Sequence, residues 1–185
     1  MTAPVTTPRL WSAEKPNLYY VVFHLTIDGK PTEVVEQRFG FRQIDIKDNV
    51  VLWNGVPIKC TGICRHDFWA DKGFALTEEN WVKDLTMMKA ANINAIRTSH
   101  YNHAQRFLEL CEEKGMYILD EIPYCWINDQ VKDPAYTPYL LQRAQETVAR
   151  DKNRPCVLAW SLGNENPNGK DSQDVLTYVR GSGGR

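Results

Sequence analysis

The sequence predicts an α/β fold, the first half of a (β/α)8 barrel preceded by a few strands of a β-sandwich. Between residues 58 and 180, short apolar strand patterns alternate four times with helical patterns, as in a parallel sheet covered by helices. Polar residues follow each of these strands, which is the arrangement at the catalytic face of a barrel. The stretch is roughly half of the ~250 residues that a complete barrel contains.

Residues 1–48 have the pattern of the end of a small antiparallel β-sandwich. Residues 18–27 are rich in β-branched and aromatic types, which favour strands. A turn at residues 28–31 follows, and residues 33–46 have further extended character. A sandwich of this kind normally has about seven strands, so we expect the rest of that domain to lie upstream.

Residues 49–180 are assigned to the barrel. The first element is a hairpin in which Asn54 and Gly55 supply the positive φ of a tight turn. Apolar periodicity, together with Thr77 as a helix cap, Gly115 as a helix stop and Pro138 at a helix start, predicts the other elements. In order, they are a strand over residues 58–64, a helix over 77–91, a strand over 93–98, a helix over 102–114, a strand over 116–119, a helix over 137–151, a strand over 156–161 and a helix over 171–180. Residues 181–185 are predicted to form a flexible tail.

A doubly wound sheet would produce the same alternation, and the residues after the strands distinguish the two folds. The polar groups that end the four strands are Arg65–Asp67, Arg97–His100, Asp120–Glu121 and Asn164–Glu165. No glycine-rich phosphate loop of the dinucleotide-binding type follows any of them. The sequence therefore favours the barrel, whose active site lies at the carboxyl ends of its strands.

The composition excludes several classes of partner. Hydrophobic residues make up 43% of the 185 residues, and the formal net charge is −1, which gives no basis for binding nucleic acid or an anionic membrane. No apolar run approaches the ~20 residues of a membrane span. Because no signal peptide is visible either, we expect a cytoplasmic protein, with export of the full-length parent as the alternative.

Five cysteines are scattered along the chain without CxxC spacing. Cys60, Cys111 and Cys156 lie in apolar patterns, so they are predicted to be reduced cysteines of the core. A zinc site formed by Cys60, Cys64 and His66 is the alternative.

Glu165 is the most informative single residue. It follows an apolar strand, beside the amide side chain of Asn164, at the point where a barrel strand delivers catalytic groups. We expect it to be buried beside Trp160. A solvated loop acid is the alternative, but the pattern indicates an acid that cleaves sugars.

An ordered set of short motifs extends along nearly the whole chain. They are Arg9–Ser12, Pro16–Tyr19, Phe39–Arg42, Asn54–Gly55, Arg65–Asp67, Asn94–Tyr101, Asp120–Glu121, Arg150–Pro155 and Asn164–Glu165. In this order they resemble glycoside hydrolase family 2, the family of the large β-galactosidases, β-glucuronidases and β-mannosidases. The resemblance implies the end of an immunoglobulin-like sandwich domain followed by the first half of the catalytic barrel. It also implies hydrolysis of terminal non-reducing β-glycosidic bonds with retention of configuration.

The resemblance assigns roles to the polar residues at the strand ends. Glu165 corresponds to the general acid/base, and Asn164 to the residue that hydrogen-bonds the sugar 2-hydroxyl. Arg97 corresponds to a residue that supports the nucleophile electrostatically. His66 and His100 match positions that line the sugar site of β-galactosidases, with hydrogen-bonded wall residues as the alternative.

Two acids have structural readings as well. Glu121 is either a substrate contact or a member of a buried ion pair, and the ion pair is favoured. Asp120 is expected to be structural. Arg97 is, in the alternative, the structural ion-pair partner of Asp120 or Glu121.

Two departures from the family pattern limit what the chain is expected to do. The nucleophile of the family comes from a later barrel strand, so we expect little or no glycosidase activity from these 185 residues alone. Magnesium-dependent β-galactosidases carry a Glu and a His where this chain has Cys125 and Ile127, which are not ligands for a hard cation. We therefore expect no magnesium site and no other cofactor.

The sequence leaves several functions open. β-Galactosidase is the commonest activity that the resemblance implies, and β-glucuronidase and β-mannosidase are close alternatives. A non-catalytic carbohydrate-binding piece is a further alternative. A half-barrel exposes two strand edges and an apolar interior, so self-association into a homo-oligomer is also expected.

Overall fold

The computed structural model describes residues 4–167 and 170–182. Its elements, in chain order, are β1 (Tyr19–Ile27), β2 (Lys30–Phe39), β3 (Ile44–Lys47), β4 (Val50–Trp53), β5 (Val56–Pro57), β6 (Gly62–Arg65), α1 (Glu78–Ala90), β7 (Ala95–Thr98), α2 (Gln105–Lys114), β8 (Tyr117–Glu121), α3 (Thr137–Asp151), β9 (Val157–Ser161) and α4 (Lys170–Gly181). Short 3-10 turns at Gln130–Lys132 and Pro134–Tyr136 precede α3. Residues 183–185 of the predicted tail lie outside the described residues.

The four strands β6 to β9 form one parallel sheet in the order β6-β7-β8-β9. A helix follows each strand or the loop after it, so every step from one strand to the next is a β-helix-β unit. Because the strands are parallel, their carboxyl ends all lie at one edge of the sheet. The predicted parallel β/α unit is therefore present.

The antiparallel part of the chain consists of two separate sheets. Strands β1 and β2 form a two-stranded ribbon, and β3, β4 and β5 form a three-stranded sheet. Asn54 and Gly55 have φ values of 53° and 79°, which confirms the predicted tight hairpin turn between β4 and β5. The predicted domain division between residues 48 and 49 lies in the turn between β3 and β4.

An aromatic cluster joins the antiparallel part to the β/α unit. Trp11, Trp53 and Tyr117 are buried, and their rings meet at centroid distances of 4.8 to 5.9 Å. The Trp11 indole N–H donates to the Glu112 carbonyl at 2.9 Å, and the Trp53 indole N–H donates to the Trp11 carbonyl at 2.8 Å. The N-terminal segment is thus fixed against α2 and β8.

The helix ends agree with the local signals in the sequence. Helix α1 begins after Thr77, whose backbone N–H donates to the Asn80 side-chain oxygen at 3.0 Å. Helix α2 ends at Gly115, which has a φ of 73°. A Cβ at this glycine would lie 2.1 Å from the Ala13 carbonyl oxygen, so both the backbone conformation and the packing require glycine.

Four predicted features are wrong in detail. Strand β6 begins at Gly62 rather than at residue 58, and α2 begins at Gln105 because residues 100–104 form a loop. Strand β8 continues to Glu121 rather than ending at residue 119, and both of the acids that end it, Asp120 and Glu121, are buried. Cys60 is exposed, whereas Cys111 and Cys156 are buried as predicted.

An open apolar groove lies beside β9. It has a volume of about 830 Å³, and its lining includes Ile44, Leu119, Trp160 and Val179. Self-association through this edge stays a prediction. In the part of the chain that the structure describes, no helix is both long and apolar enough to cross a membrane.

Two buried aspartates, Asp120 on β8 and Asp151 at the end of α3, lie together beneath the sheet edge. Asp151 is neutralised by Arg150 and Arg154, with the Arg154 Nε 2.8 Å from its carboxylate. Asp120 accepts a hydrogen bond from the Thr98 hydroxyl at 3.2 Å. Burial and the adjacent Asp151 carboxylate raise the pKa of Asp120 to about 8.

The raised pKa of Asp120 makes the stability of the fold pH-dependent. Between about pH 4 and pH 8 the folded chain retains a proton on Asp120 that the unfolded chain has lost, so the free energy of unfolding falls as the pH rises. The slope is at most about 1.4 kcal/mol per pH unit. Asp120→Asn is expected to flatten this dependence, as measured by urea unfolding at pH 5 and pH 8. The control is Asp71→Asn at an exposed aspartate, and equal slopes in the Asp120 and Asp71 variants would contradict the prediction.

Candidate active site

The candidate site lies at the carboxyl edge of the parallel sheet. Arg97 is on β7, Glu121 is the last residue of β8, and Asn164 and Glu165 follow β9 in the next loop. Strands β7, β8 and β9 are neighbours. The sheet therefore brings together side chains that are 24 to 67 residues apart in the sequence.

Glu121 is the centre of this cluster and has no exposed surface. Its Oε2 accepts from the Arg97 Nε and from the Ser161 hydroxyl, the latter at 2.7 Å. Its Oε1 lies 2.6 Å from the His100 Nδ1. The backbone N–H of Glu121 donates to the Thr98 hydroxyl at 2.8 Å. The favoured reading of Glu121 as a member of a buried ion pair agrees with this geometry.

Arg97 connects Glu121 to the loop after β9. Besides its contact with Glu121, its Nη2 donates to the Asn164 Oδ1 at 3.1 Å and lies 3.4 Å from the Gly163 carbonyl. Partial burial of Arg97 lowers its pKa, but the hydrogen bond and charge of the Glu121 carboxylate have the larger combined effect, so the pKa of Arg97 is raised. Arg97 is thus the ion-pair partner of Glu121, which is one of the two partners that the structural alternative gave it. Its electrostatic support of a nucleophile stays a prediction.

The loop after β9 turns Glu165 away from the sheet. Gly163 and Glu165 both have positive φ, at 116° and 51°. Glu165 is consequently exposed, and its Oε2 accepts a hydrogen bond from the Trp126 indole N–H at 2.7 Å. The expected burial beside Trp160 is wrong, because the two left-handed residues redirect the chain after the strand ends.

The loop after β9 is held by the loop after β8. The Asn164 N–H donates to the Tyr124 carbonyl at 2.7 Å, and the Trp126 N–H donates to the Asn164 carbonyl at 3.3 Å. The Ile127 N–H donates to the Asn166 side chain at 3.2 Å. A Cβ at Gly163 would lie 2.7 Å from the Tyr124 carbonyl, so only glycine allows this close approach. The two loops therefore form one paired unit that carries Glu165.

His66 and His100 line one side of the cluster. Their rings meet edge to face at a centroid distance of 5.1 Å, and Tyr101 lies behind His66 at 6.0 Å. His100 also contacts Glu121, whereas His66 is exposed. The structure brings both histidines to the predicted face. Their contact with a sugar stays a prediction.

Two contacts of the site were not predicted from the sequence. Ser161 donates to Glu121, and Trp126 donates to Glu165. Ser161 lies directly opposite Glu121 in the β8–β9 register, so an alignment of the strand ends would have found it. The Trp126 contact spans 39 residues between two irregular loops, and no sequence periodicity signals such a contact.

The chain's residues do not fit the metals that the sequence raised. Among the described residues, no three His, Cys, Asp or Glu side chains gather to hold a metal ion, so the zinc alternative with Cys60, Cys64 and His66 is not formed. At the positions where the family resemblance implies magnesium ligands, the Cys125 thiol faces the Asn164 amide at 3.7 Å and the Ile127 side chain has no ligand atom. We derive no catalytic step through a metal.

The parallel β/α unit and the polar cluster at its carboxyl edge define a barrel-type enzyme domain, of which this chain supplies four strands. A family model described as the TIM barrel domain of glycosyl hydrolases family 2 matches residues 44–182, and a second family 2 model matches residues 2–42. The chain belongs to glycosyl hydrolase family 2. The predicted fold, a partial barrel preceded by antiparallel strands, is confirmed.

Several relatives with curated names are β-galactosidases. The enzyme from Streptococcus thermophilus is 41% identical over 184 residues, which covers 92% of this chain and 18% of the relative. The enzyme from Photobacterium profundum is 38% identical over 188 residues and is covered to the same 18%. The chain thus spans about a fifth of the length of these relatives.

Several similar solved structures are β-glucuronidases. The enzyme from Ruminococcus gnavus in complex with D-glucuronic acid has a TM-score of 0.86 and 27% identity, covering 96% of this chain and 31% of that chain. The Bifidobacterium dentium enzyme with a coumarin glucuronide has a TM-score of 0.83 and 28% identity, covering 94% and 29%. By family, the chain is part of a glycoside hydrolase.

Proposed function

We propose that this chain contributes the acid/base half of a retaining exo-β-glycosidase active site, with Glu165 as the general acid/base. The observation that carries the proposal is the joining of Glu121, Arg97 and Asn164 into one bonded cluster beside Glu165. In retaining hydrolysis a carboxylic acid protonates the leaving oxygen and then, as a carboxylate, activates water. Glu165 is suited to this because it is exposed at the strand edge and oriented by Trp126.

Asn164 is suited to hold the sugar. Its Oδ1 is occupied by Arg97, which fixes the side-chain amide in one orientation. The Nδ2 group then points away from Arg97, where, among the described residues, it makes a long contact with the Cys125 sulfur at 3.7 Å. An amide N–H in this position is a donor for the sugar 2-hydroxyl, as the family resemblance implies.

The nucleophile is proposed to come from a part of the full-length protein outside these 185 residues. Glu121 is a second glutamate at this face, but it is buried, and both of its oxygens are engaged by Arg97, Ser161 and His100. A carboxylate held in this way is not free to attack an anomeric carbon. The 185 residues alone are therefore expected to have little or no activity.

A neutral sugar, galactose, is the proposed substrate unit. The named sequence relatives are β-galactosidases at up to 41% identity, whereas the β-glucuronidases are similar at 24 to 28%. The charge arrangement agrees, because the Arg97 guanidinium is already paired with Glu121 and is not directed at a uronate. β-Glucuronidase is the second candidate, favoured by the close structural likeness.

The test uses the full-length protein that contains this chain. It is expected to hydrolyse 4-nitrophenyl β-galactoside with a kcat/KM at least tenfold above those for the β-glucuronide and the β-mannoside. Proton NMR of the first product is expected to give the β-anomer of the free sugar, as retention requires. Preference for the glucuronide would overturn galactose as the proposed substrate unit, and an initial α-anomer would overturn the retaining mechanism.

A further inference from the structure

The Trp126 side chain lies in an unusual environment. Its indole is 67% exposed, so core packing does not explain why it occupies this position. Its indole N–H donates to the Glu165 Oε2 at 2.7 Å. This contact joins the loop after β8 to the proposed acid/base across 39 residues of sequence.

The backbone around Trp126 holds the indole in place. Trp126 has a φ of 55°, a conformation that is unusual for a bulky residue. Its backbone N–H donates to the Asn164 carbonyl at 3.3 Å. The preceding residue, Cys125, forms an isolated parallel β-bridge with Asn164. The pairing of the loops after β8 and β9 therefore positions both the Trp126 indole N–H and the Glu165 carboxylate that accepts its hydrogen bond. A strained conformation at a site that contacts a functional group is typical of a functional constraint.

The chemistry of the donor decides which oxygen of Glu165 is available for proton transfer. An indole N–H only donates, so the Oε2 that it contacts must accept and is disfavoured as the protonated oxygen. The acid proton is then carried by Oε1. We propose that Trp126 is a positioning residue that fixes Oε2 and leaves Oε1 to exchange the proton with the glycosidic oxygen, an inference that rests on the proposed role of Glu165.

The step itself is an ordinary acid-catalysed cleavage. As the bond between the anomeric carbon and the leaving oxygen breaks, its electron pair stays on that oxygen, the Oε1–H proton is transferred to it, and the nucleophile carboxylate supplied by the rest of the enzyme bonds to the anomeric carbon. Glu165 becomes a carboxylate, and both of its oxygens can then accept hydrogen bonds. The Trp126 N–H stays on Oε2 throughout, so the donor stabilises the charge that develops on Glu165.

The test compares substrates that differ in their need for an acid. In the full-length enzyme, Trp126→Phe keeps an aromatic ring and removes the N–H. We expect kcat/KM for an alkyl β-galactoside to fall by about tenfold or more, as part of the 10²–10⁴-fold that a positioned acid contributes. For 2,4-dinitrophenyl β-galactoside, whose leaving group needs no proton, the change is expected to stay within about twofold.

Two further variants control the comparison. Trp69→Phe makes the same change in the loop after β6, where the ring contacts Lys83 instead, and is expected to leave both substrates unchanged. Trp126→His retains a ring N–H and is expected to lose less than Trp126→Phe on the alkyl substrate. An equal loss on both substrates, or no loss on either, would overturn the positioning role.

Glu165→Gln separates this inference from the proposed function. If Glu165 is the acid, this variant also loses activity selectively on the alkyl substrate. A selective loss in Glu165→Gln without one in Trp126→Phe rejects only the role of Trp126. Equal effects of Glu165→Gln on the two substrates would reject the acid assignment itself.

Discussion

Replacing Glu165 by Gln is expected to lower kcat/KM for alkyl β-galactosides by about 10³-fold in the full-length enzyme, within the range of general acid catalysis. The amide has nearly the shape of the carboxyl but carries no acidic proton. Its Oε1 can still accept the hydrogen bond from the Trp126 indole N–H, so the fold is expected to be unchanged. The loss therefore reports chemistry rather than structure.

Several measurements check this result. Steady-state kinetics with alkyl and dinitrophenyl galactosides give the size and selectivity of the loss. Added azide is expected to restore turnover of the dinitrophenyl substrate, because a small anion replaces the water that needs a base. Glu146→Gln is the matched control, since Glu146 is exposed on α3 and accepts a hydrogen bond from Gln142 within the same helix. A loss below tenfold on the alkyl substrate would count against Glu165 as the acid.

Glu121→Gln has the largest expected effect on stability. Glu121 is fully buried and receives hydrogen bonds from Arg97 and Ser161, while His100 contacts its other oxygen. The neutral amide leaves the Arg97 charge without its partner. Removing one member of a buried pair typically costs 3–5 kcal/mol, and we expect about 3 kcal/mol because the Arg97 side chain is 25% exposed.

Urea unfolding of the full-length protein measures this loss in the transition of the barrel domain. The control is Glu33→Gln, at an exposed glutamate on β2, which is expected to change the free energy of unfolding by less than about 0.5 kcal/mol. The double variant with Arg97→Gln is expected to lose less than the sum of the two single variants, because it leaves no unpaired charge. Strict additivity would show that the pair does not act as a unit.

An element could be predicted from the sequence where residues within that element determine it, and not where distant residues determine it. Helix α3 has the predicted bounds, Thr137–Asp151, because Pro138 and the apolar spacing are signals carried within the helix. Strand β8 was predicted too short, because Asp120 and Glu121 are poor strand residues until Thr98, Arg97 and Asp151 surround them. Cys60 was misassigned because a strand pattern does not reveal which faces are covered.

The candidate site shows the same division. Its members at the strand ends were found from sequence, because parallel strands always deliver their carboxyl ends to one edge. Ser161 was missed because its partner, Glu121, is set by the register of two strands. The exposure of Glu165 was missed because it depends on positive φ values at Gly163 and Glu165.

The sequence alone determined the alternation of strands and helices, the identity of the acids at the strand ends and the family. These are properties of residue order, and periodicity and motifs record them. Only the tertiary structure decided that Glu121 is enclosed by Arg97, Ser161 and His100, and that Glu165 is exposed and held by Trp126. Burial and hydrogen bonding between distant segments depend on how the loops after β8 and β9 pack together, and no local pattern encodes that packing.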